Sequence, residues 1–219
     1  MDHRFLAEAL VRRPVLFRAM LTFNRDAYAP VPEELTALGA PLSDLWKRAD
    51  FRRAWPHRSK EDGYWNFSEE SQRIALLDKA TIEKLGLFFS AAVHAGEISR
   101  VIARSEVLEL RTSLGADVVS YALKRGRYQI GGVRGMLPFP AVHGTLAMRV
   151  KEISAVSLAM LSADWPEELR RMAAPRLPKT SETEEALPAL RREQRSALWF
   201  TMKKLLLREV APEWTQCFD

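Results

Sequence analysis

The chain has 219 residues, 47% hydrophobic and 28% charged, which is typical of a soluble globular protein. Its net charge of +5 is spread along the sequence and does not by itself distinguish an acidic protein partner from nucleic acid or from a merely basic surface. No apolar run approaches the roughly 18 residues of a membrane span, no signal segment is evident, and the single cysteine, Cys217, excludes an internal disulfide, so we expect a cytoplasmic protein.

The beginning of the chain predicts short helices and connectors. Residues 1–28 contain two amphipathic segments separated at Pro14. Residues 29–41 carry several prolines and predict a connector with one helical turn at Glu33–Leu38. Ser43 is the predicted N-cap of a helix that runs through Phe51.

Residues 55–67 are polar and aromatic without periodicity, which predicts a loop. The aromatic side chains either anchor it to the domain or form an exposed surface for a partner. They are Trp55, Tyr64, Trp65 and Phe67. The following Ser68, Glu69 and Glu70 predict the start of a helix that runs through Ile74 and Leu77.

The central stretch, residues 81–126, has apolar residues at a period of about 3.6, which indicates packed amphipathic helices. The recurring apolar positions are Ile82, Leu85, Phe89, Val93, Ile98, Val101, Ile102, Val107, Leu110, Leu114, Val118, Val119 and Ala122. Ser105 and Glu106 predict a helix start, and Gly115 and Gly126 predict left-handed helix ends.

Beyond residue 126, glycines and prolines predict a loop with a brief extended piece at Tyr128–Ile130; the Gly/Pro-rich part covers residues 131–140. A long helix follows from Leu146 through Met160 and ends before Pro166, which predicts a short helix at Glu167–Met172. Residues 175–188 predict a polar, acidic linker, and Ala189–Val210 a final helix.

The predicted fold class is therefore all-α: a single compact multi-helix domain with short loops and at most a trace of extended structure. Within residues 1–219 we distinguish an N-terminal part (1–80), central helices (81–174), the linker (175–188), and a C-terminal helix with its tail (189–219). In the C-terminal helix, one predicted face consists of Leu198, Met202, Leu205 and Leu206.

The sequence contains no convincing catalytic, metal or cofactor motif. His94 and Glu97 are three apart but lack further ligands at metal-site spacing, so a histidine hydrogen-bonded within a helix pair is the favoured interpretation. The GGVRG segment, residues 131–135, lacks the Gly-Lys-Ser/Thr ending of a phosphate-binding loop. We expect no enzymatic activity, no cofactor and no metal.

Basic and aromatic residues are the better candidates for function. Basic side chains of the central helices could form an electrostatic contact with an acidic partner, or be ordinary solvated arginines. In the last helix, Trp199 and Phe200 lie off the Leu198 face and could contact a partner or belong to the core. The candidate partner-binding residues are Arg100, Arg104, Arg111, Lys124, Arg125, Arg127, Trp199, Phe200 and Lys203.

Four blocks of sequence together carry a resemblance to a known family. The first is LGLFFSAAVHAGEISRVI, Leu85–Ile102. The second combines Leu108–Gly115 with Tyr121 and Gly126–Gly131. The third runs from Gly144 to Pro178 and ends WPEELRRMAAPRLP, and the fourth is the C-terminal KKLLLREVAPEWTQCFD. In this order, over roughly residues 80–219, the blocks resemble the SctK (YscK/PscK) family of accessory proteins of the type III secretion sorting platform, whereas the Gly/Pro-rich segment 131–140 departs from it.

The resemblance implies a cytoplasmic, largely helical, non-enzymatic adaptor at the base of the injectisome. Such an adaptor links the inner-membrane ring protein SctD to the pod protein SctQ, and through SctQ and SctL to the ATPase, during effector secretion in virulence. It would meet the membrane only through the ring protein and would bind no nucleic acid. The alternatives are a basic helical nucleic-acid-binding protein and an enzyme whose site includes His94.

Overall fold

The computed structural model describes residues 3–27, 63–130, 132–180 and 187–218, and throughout these ranges the chain forms helices and connecting segments without a β-strand. The all-α prediction is therefore confirmed. Cα proximity divides the chain into two compact units, Met1–Ser68 and Glu69–Asp219. The predicted turn at Glu33–Leu38, the helix begun by Ser43, and Trp55 lie outside the described residues.

In the first unit, α1 (His3–Arg12) and α2 (Pro14–Ala27) are separated at Pro14, as predicted. Pro14 is the first residue of α2, where a missing backbone N–H costs nothing because no carbonyl partner lies within that helix. The Phe17 N–H donates to the Arg13 carbonyl at 3.0 Å, so the turn around the proline is closed. The buried face of the pair consists of Ala9, Leu16, Met20, Phe23 and Asn24.

The segment after residue 62 is anchored through its aromatic side chains, which confirms the loop interpretation for Tyr64 and Phe67. Phe67 is fully buried and meets Phe23 edge-on with ring centroids 5.6 Å apart. Tyr64 lies edge-on to Phe67 at 5.1 Å, and its carbonyl accepts a hydrogen bond from the Asn24 side-chain amide at 2.9 Å.

The second unit begins with a 3-10 helix, Glu70–Leu76, followed by α3 (Lys79–Val93). The helix predicted to start at Ser68 and run through Leu77 forms as this shorter 3-10 helix, because Leu77 and Asp78 adopt extended backbone angles before α3. Asp78 is the actual N-cap: its carboxylate accepts hydrogen bonds from the Thr81 backbone N–H and hydroxyl at 2.8 and 2.9 Å. Arg176 satisfies the carbonyls of Ala75 and Leu77 at the end of the 3-10 helix.

The remaining elements of the second unit surround α3. They are α4 (Ala95–Ile98), α5 (Arg104–Leu114), α6 (Ala116–Tyr121), a π-helical segment (Ala122–Gly126), α7 (Arg127–Gln129), α8 (Val133–Met136), α9 (Leu146–Ser162), α10 (Glu167–Ala173), α11 (Arg192–Leu205), a second π-helical segment (Leu206–Val210) and a closing 3-10 helix (Pro212–Cys217). The predicted long helix and the short helix after Pro166 correspond to α9 and α10.

Helix α3 is the centre of this unit, and α9 packs along it. Its predicted stripe, Ile82, Leu85, Phe89 and Val93, is buried. At Gly86 the two helices come so close that an added Cβ would lie 2.8 Å from Leu158 Cδ1 and 3.3 Å from the Ser154 carbonyl oxygen. A glycine at this position therefore sets the distance between the helices.

Three details of the central stretch differ from the prediction. Gly115 ends α5 with a φ of 99°, as predicted, but Gly126 has a φ of −55° and lies inside a continuing helix. The predicted extended piece at Tyr128–Ile130 is wrong, since Arg127–Gln129 is helical. Ile102, predicted to continue the core stripe, is 89% exposed because the helix stops at Ile98 and the phase of the pattern is lost.

The C-terminal part confirms the predicted core face, since Leu198, Met202, Leu205 and Leu206 are all buried. Of the predicted linker, residues 175–180 and 187–188 are described, and Thr180 donates a hydrogen bond to Glu152 of α9 at 2.6 Å. None of the helices in the described ranges combines the length and apolar character that a membrane crossing requires.

Candidate functional site: an arginine cleft

The second unit contains a cavity of about 380 Å³ between the end of α3, α4 and the helices that follow Gly126. Its floor is formed by small or aliphatic residues, namely Ala92, Val93, Ala95, Gly96 and Ile130. Its polar rim consists of Ser99, Arg100, Arg127 and Arg134. We call this site the arginine cleft.

Close packing brings the two walls of the arginine cleft together. A Cβ added to Gly126 would lie 3.0 Å from Ala92 Cβ and 3.1 Å from its Cα, so only glycine lets the π-helical segment approach α3 this closely. Arg127 follows at once and Ile130 completes the next turn, so both reach the cleft lined from the other side by Gly96 and Arg100.

The positive charge of the cleft is largely unneutralised. Within the described part of the chain, Arg100 and Arg127 form no ion pair, and both are exposed. Arg134 approaches Glu97 only to 3.7 Å, while Glu97 binds Arg149 at 2.8 Å. Arg134 therefore forms a long ion pair with Glu97 without a hydrogen bond, and its charge is the most nearly neutralised of the three rim arginines.

His94 lies at the bend between α3 and α4, next to the cleft floor. It is buried, and its Nδ1 lies 2.9 Å from the Ser90 carbonyl oxygen. Burial lowers its pKa, opposed by the Ser90 hydrogen bond and the charge of Glu97. This geometry is that of a histidine hydrogen-bonded within its helix pair. In the described ranges, no group of three or more His, Cys, Asp or Glu side chains is close enough to hold a metal ion.

Of the predicted partner-binding residues, the structure brings Arg100 and Arg127 together. Arg104 and Arg111 lie exposed on α5, and neither they nor the exposed Lys124 line the cleft. Arg125 instead pairs with Glu209 at 3.0 Å and joins the first π-helical segment to the second. The Glu209 side chain is only 7% exposed, so this pair has a structural role that the basic pattern did not indicate.

The aromatic and basic candidates of α11 likewise include residues that take part in the fold and a residue that stays exposed. Trp199 is half-buried, with its ring centroid 5.9 Å from that of Phe218. Lys203 donates to Glu70 at 2.8 Å and to the Phe218 carbonyl at 2.6 Å, which occupies its ammonium group inside the unit. Phe200 is 65% exposed and remains a surface residue.

Sequence reasoning missed Arg134. It lies in the segment predicted as a Gly/Pro loop, and its only signal was a basic residue between glycines in GGVRG. The structure forms α8 there and directs the side chain to the cleft. Arg100, Arg127 and Arg134 thus supply several guanidinium donors above an aliphatic floor, an arrangement suited to binding a carboxylate or a phosphate.

The comparisons with known proteins give no assignment, since no family model, no curated protein and no solved structure matches the chain.

Proposed function

We propose that the chain is a non-enzymatic adaptor of the type III secretion sorting platform, linking the inner-membrane ring protein SctD to the pod protein SctQ at the cytoplasmic face of the inner membrane. Its action is binding, without a chemical step. Through SctQ and SctL it would be connected to the ATPase that drives effector secretion.

The observation that carries this proposal is that two of the four sequence blocks line one cleft. The block Leu85–Ile102 supplies α4 and the wall that ends at Arg100. The second block, through Gly126–Gly131, supplies Arg127 and Ile130 on the opposite wall. Two segments that resemble the secretion adaptors therefore meet at the arginine cleft, which Arg134 completes from outside them.

The charge of the cleft supports a binding role. Exposed arginines orient an approaching acidic partner and raise its association rate more than they raise equilibrium affinity. An adaptor that assembles and exchanges partners benefits from fast, salt-sensitive association.

Co-purification of the tagged protein from its own organism under gentle lysis, followed by mass spectrometry, tests the proposal. We expect recovery of the ring and pod proteins of a secretion apparatus above the level of an untagged control. Recovery of neither protein from cells that assemble such an apparatus would refute the adaptor function.

A basic nucleic-acid-binding protein is the second candidate, favoured by the exposed arginines. Against it, α6 follows α5 as the second helix of a pair, but Val118, Val119 and Tyr121 of α6 are buried. A recognition helix must present polar side chains to base edges. Retention on DNA with a steep salt dependence would favour this second function.

A further inference from the structure

We propose that the arginine cleft is a docking site for an acidic segment of a partner protein, with glutamate or aspartate carboxylates held by Arg100, Arg127 and Arg134. This inference deepens the proposed adaptor function and rests on it for the class of partner. The occupant is a short peptide segment in which acidic residues flank an apolar or aromatic one.

The first argument is the charge of the rim. Arg100 and Arg127 have no acidic partner in the described residues, whereas Arg134 forms a long ion pair at 3.7 Å with Glu97, whose other oxygen binds Arg149. A free guanidinium matches a carboxylate with two parallel N–H···O bonds, so Arg100 and Arg127 can each receive one acidic side chain, with Arg134 adding positive charge beside them. Charge complementarity therefore selects an anionic occupant.

The second argument is the open space beside Gly96. An added Cβ at Gly96 would meet nothing nearer than Arg134 Nη1 at 3.8 Å, so unoccupied space lies next to α4. Ala92, Ala95 and Ile130 line this space, and each is at most 5% exposed. A glutamate side chain can enter this space while its carboxylate reaches the arginines of the rim.

The third argument is the exposure of two large side chains that neighbour the rim arginines in sequence. Ile102, 89% exposed, follows Arg100 by two residues, and Tyr128, 79% exposed, directly follows Arg127. Arginine and tyrosine are enriched among the residues that dominate binding energy in protein interfaces. A peptide with an apolar residue between acidic ones would contact both kinds of surface.

A nucleic acid fits these features less well. A duplex offers phosphates along an extended backbone and is met by a long basic surface. Here the arginines surround a cavity of about 380 Å³, and Arg104 and Arg111 of α5 do not line it. An acidic peptide segment therefore fits the cleft better than a duplex.

Peptide binding to the purified full-length protein tests the inference directly. The probe is a fluorescein-labelled peptide in which glutamates flank a central phenylalanine, and the reference probe replaces each glutamate with glutamine. We expect fluorescence anisotropy to detect the first and not the second, with binding that weakens as salt is raised because the arginines are exposed. Equal binding of both probes would overturn the inference.

Two matched pairs of variants locate the site. The double variant Arg100→Glu/Arg127→Glu is expected to weaken peptide binding by about tenfold or more. The control Arg104→Glu/Arg111→Glu changes the net charge equally but should leave the peptide affinity within roughly twofold of the parent. Gly96→Leu should block the cavity, whereas Gly135→Leu on α8, which has open space around it and does not line the cavity, should not. Circular dichroism checks that each variant is folded.

Further outcomes show which kind of anion the cleft binds, and they distinguish failure of the cleft proposal from failure of the adaptor proposal. The inference would be overturned if both double charge reversals weakened binding equally. It would also be overturned if a phosphoserine peptide or single-stranded DNA bound more tightly than the acidic peptide. In co-purification, a folded Arg100→Glu/Arg127→Glu protein that recovers ring and pod proteins as well as the unaltered protein refutes the cleft but leaves the adaptor function standing. Acidic-peptide binding with the predicted variant pattern, in a protein that recovers neither partner, supports the cleft and refutes the adaptor.

Discussion

Replacing Gly86 with alanine should destabilise the protein, although the same change stabilises most helices. A glycine in the middle of a helix costs about 1 kcal/mol relative to alanine, so the substitution gains roughly that much from propensity alone. At Gly86, however, the new Cβ would lie 2.8 Å from Leu158 Cδ1 and still closer to the Ser154 hydroxyl. Leu158 is 1% exposed and has little room to move. Overpacking of this kind costs about 1–3 kcal/mol, so after the propensity gain we expect a net loss of up to roughly 2 kcal/mol.

Thermal unfolding followed by far-UV circular dichroism measures the effect, at about 2–4 °C for each kcal/mol in a chain of this size. The control is Gly96→Ala on α4, where the nearest atom is 3.8 Å away and only the propensity gain of about 0.5–1 kcal/mol applies. Adding Ser154→Ala to Gly86→Ala should recover part of the loss by removing the closest atom. If Gly86→Ala stabilises as much as the Gly96 control, α3 and α9 do not approach as closely as described.

Other predictions concern single side chains and pH. Asp78→Ala should cost about 1 kcal/mol at neutral pH in urea unfolding. The Thr81 backbone hydrogen bond lowers the pKa of Asp78. The stability that the Asp78 carboxylate contributes is therefore present above its usual pKa of 3.8 and is lost as the pH falls through the lower pKa of the folded state. At that low pH the variant and the parent should be equally stable. Burial lowers the pKa of His94, so the parent protein should lose stability as the pH falls below about 6.5. The variant His94→Gln should lack this dependence of stability on pH. If the variant shows the same pH dependence as the parent, the prediction is wrong. Arg125→Met should cost about 1–3 kcal/mol by leaving the largely buried Glu209 carboxylate without its arginine, and Glu209→Gln should offset part of it in a double-mutant cycle.

The arginine cleft changes what the basic residues of the central helices mean. By pattern alone, Arg100, Arg104 and Arg111 were equivalent candidates on the central helices for a contact with an acidic partner. The structure separates Arg100 from the other two and joins it instead to Arg127 and Arg134. Charge reversal at the pattern-based group would therefore mix one cleft residue with two that lie outside it, which is why the matched pairs above are the more informative variants.

The sequence alone determined the helical class and several helix positions, because these depend on local chemistry. Pro14 separates α1 from α2 since proline suits only the first turn of a helix. The spacing of apolar residues predicted α9 and the buried face of α11. This is possible because the apolar residues of an amphipathic helix recur with the helical period whatever the helix packs against. Gly115 marked a helix end because its φ of 99° strains other residues.

Only the tertiary structure decided where the charged residues meet. Gly126 ends no helix; it permits the approach to Ala92 that forms one wall of the cleft, and local pattern cannot distinguish these two uses of glycine. Arg125 and Arg127 are neighbours in sequence, yet one binds the buried Glu209 and the other faces the cleft. Which arginine is free depends on the acids that distant helices place beside it, and that arrangement follows from packing around α3.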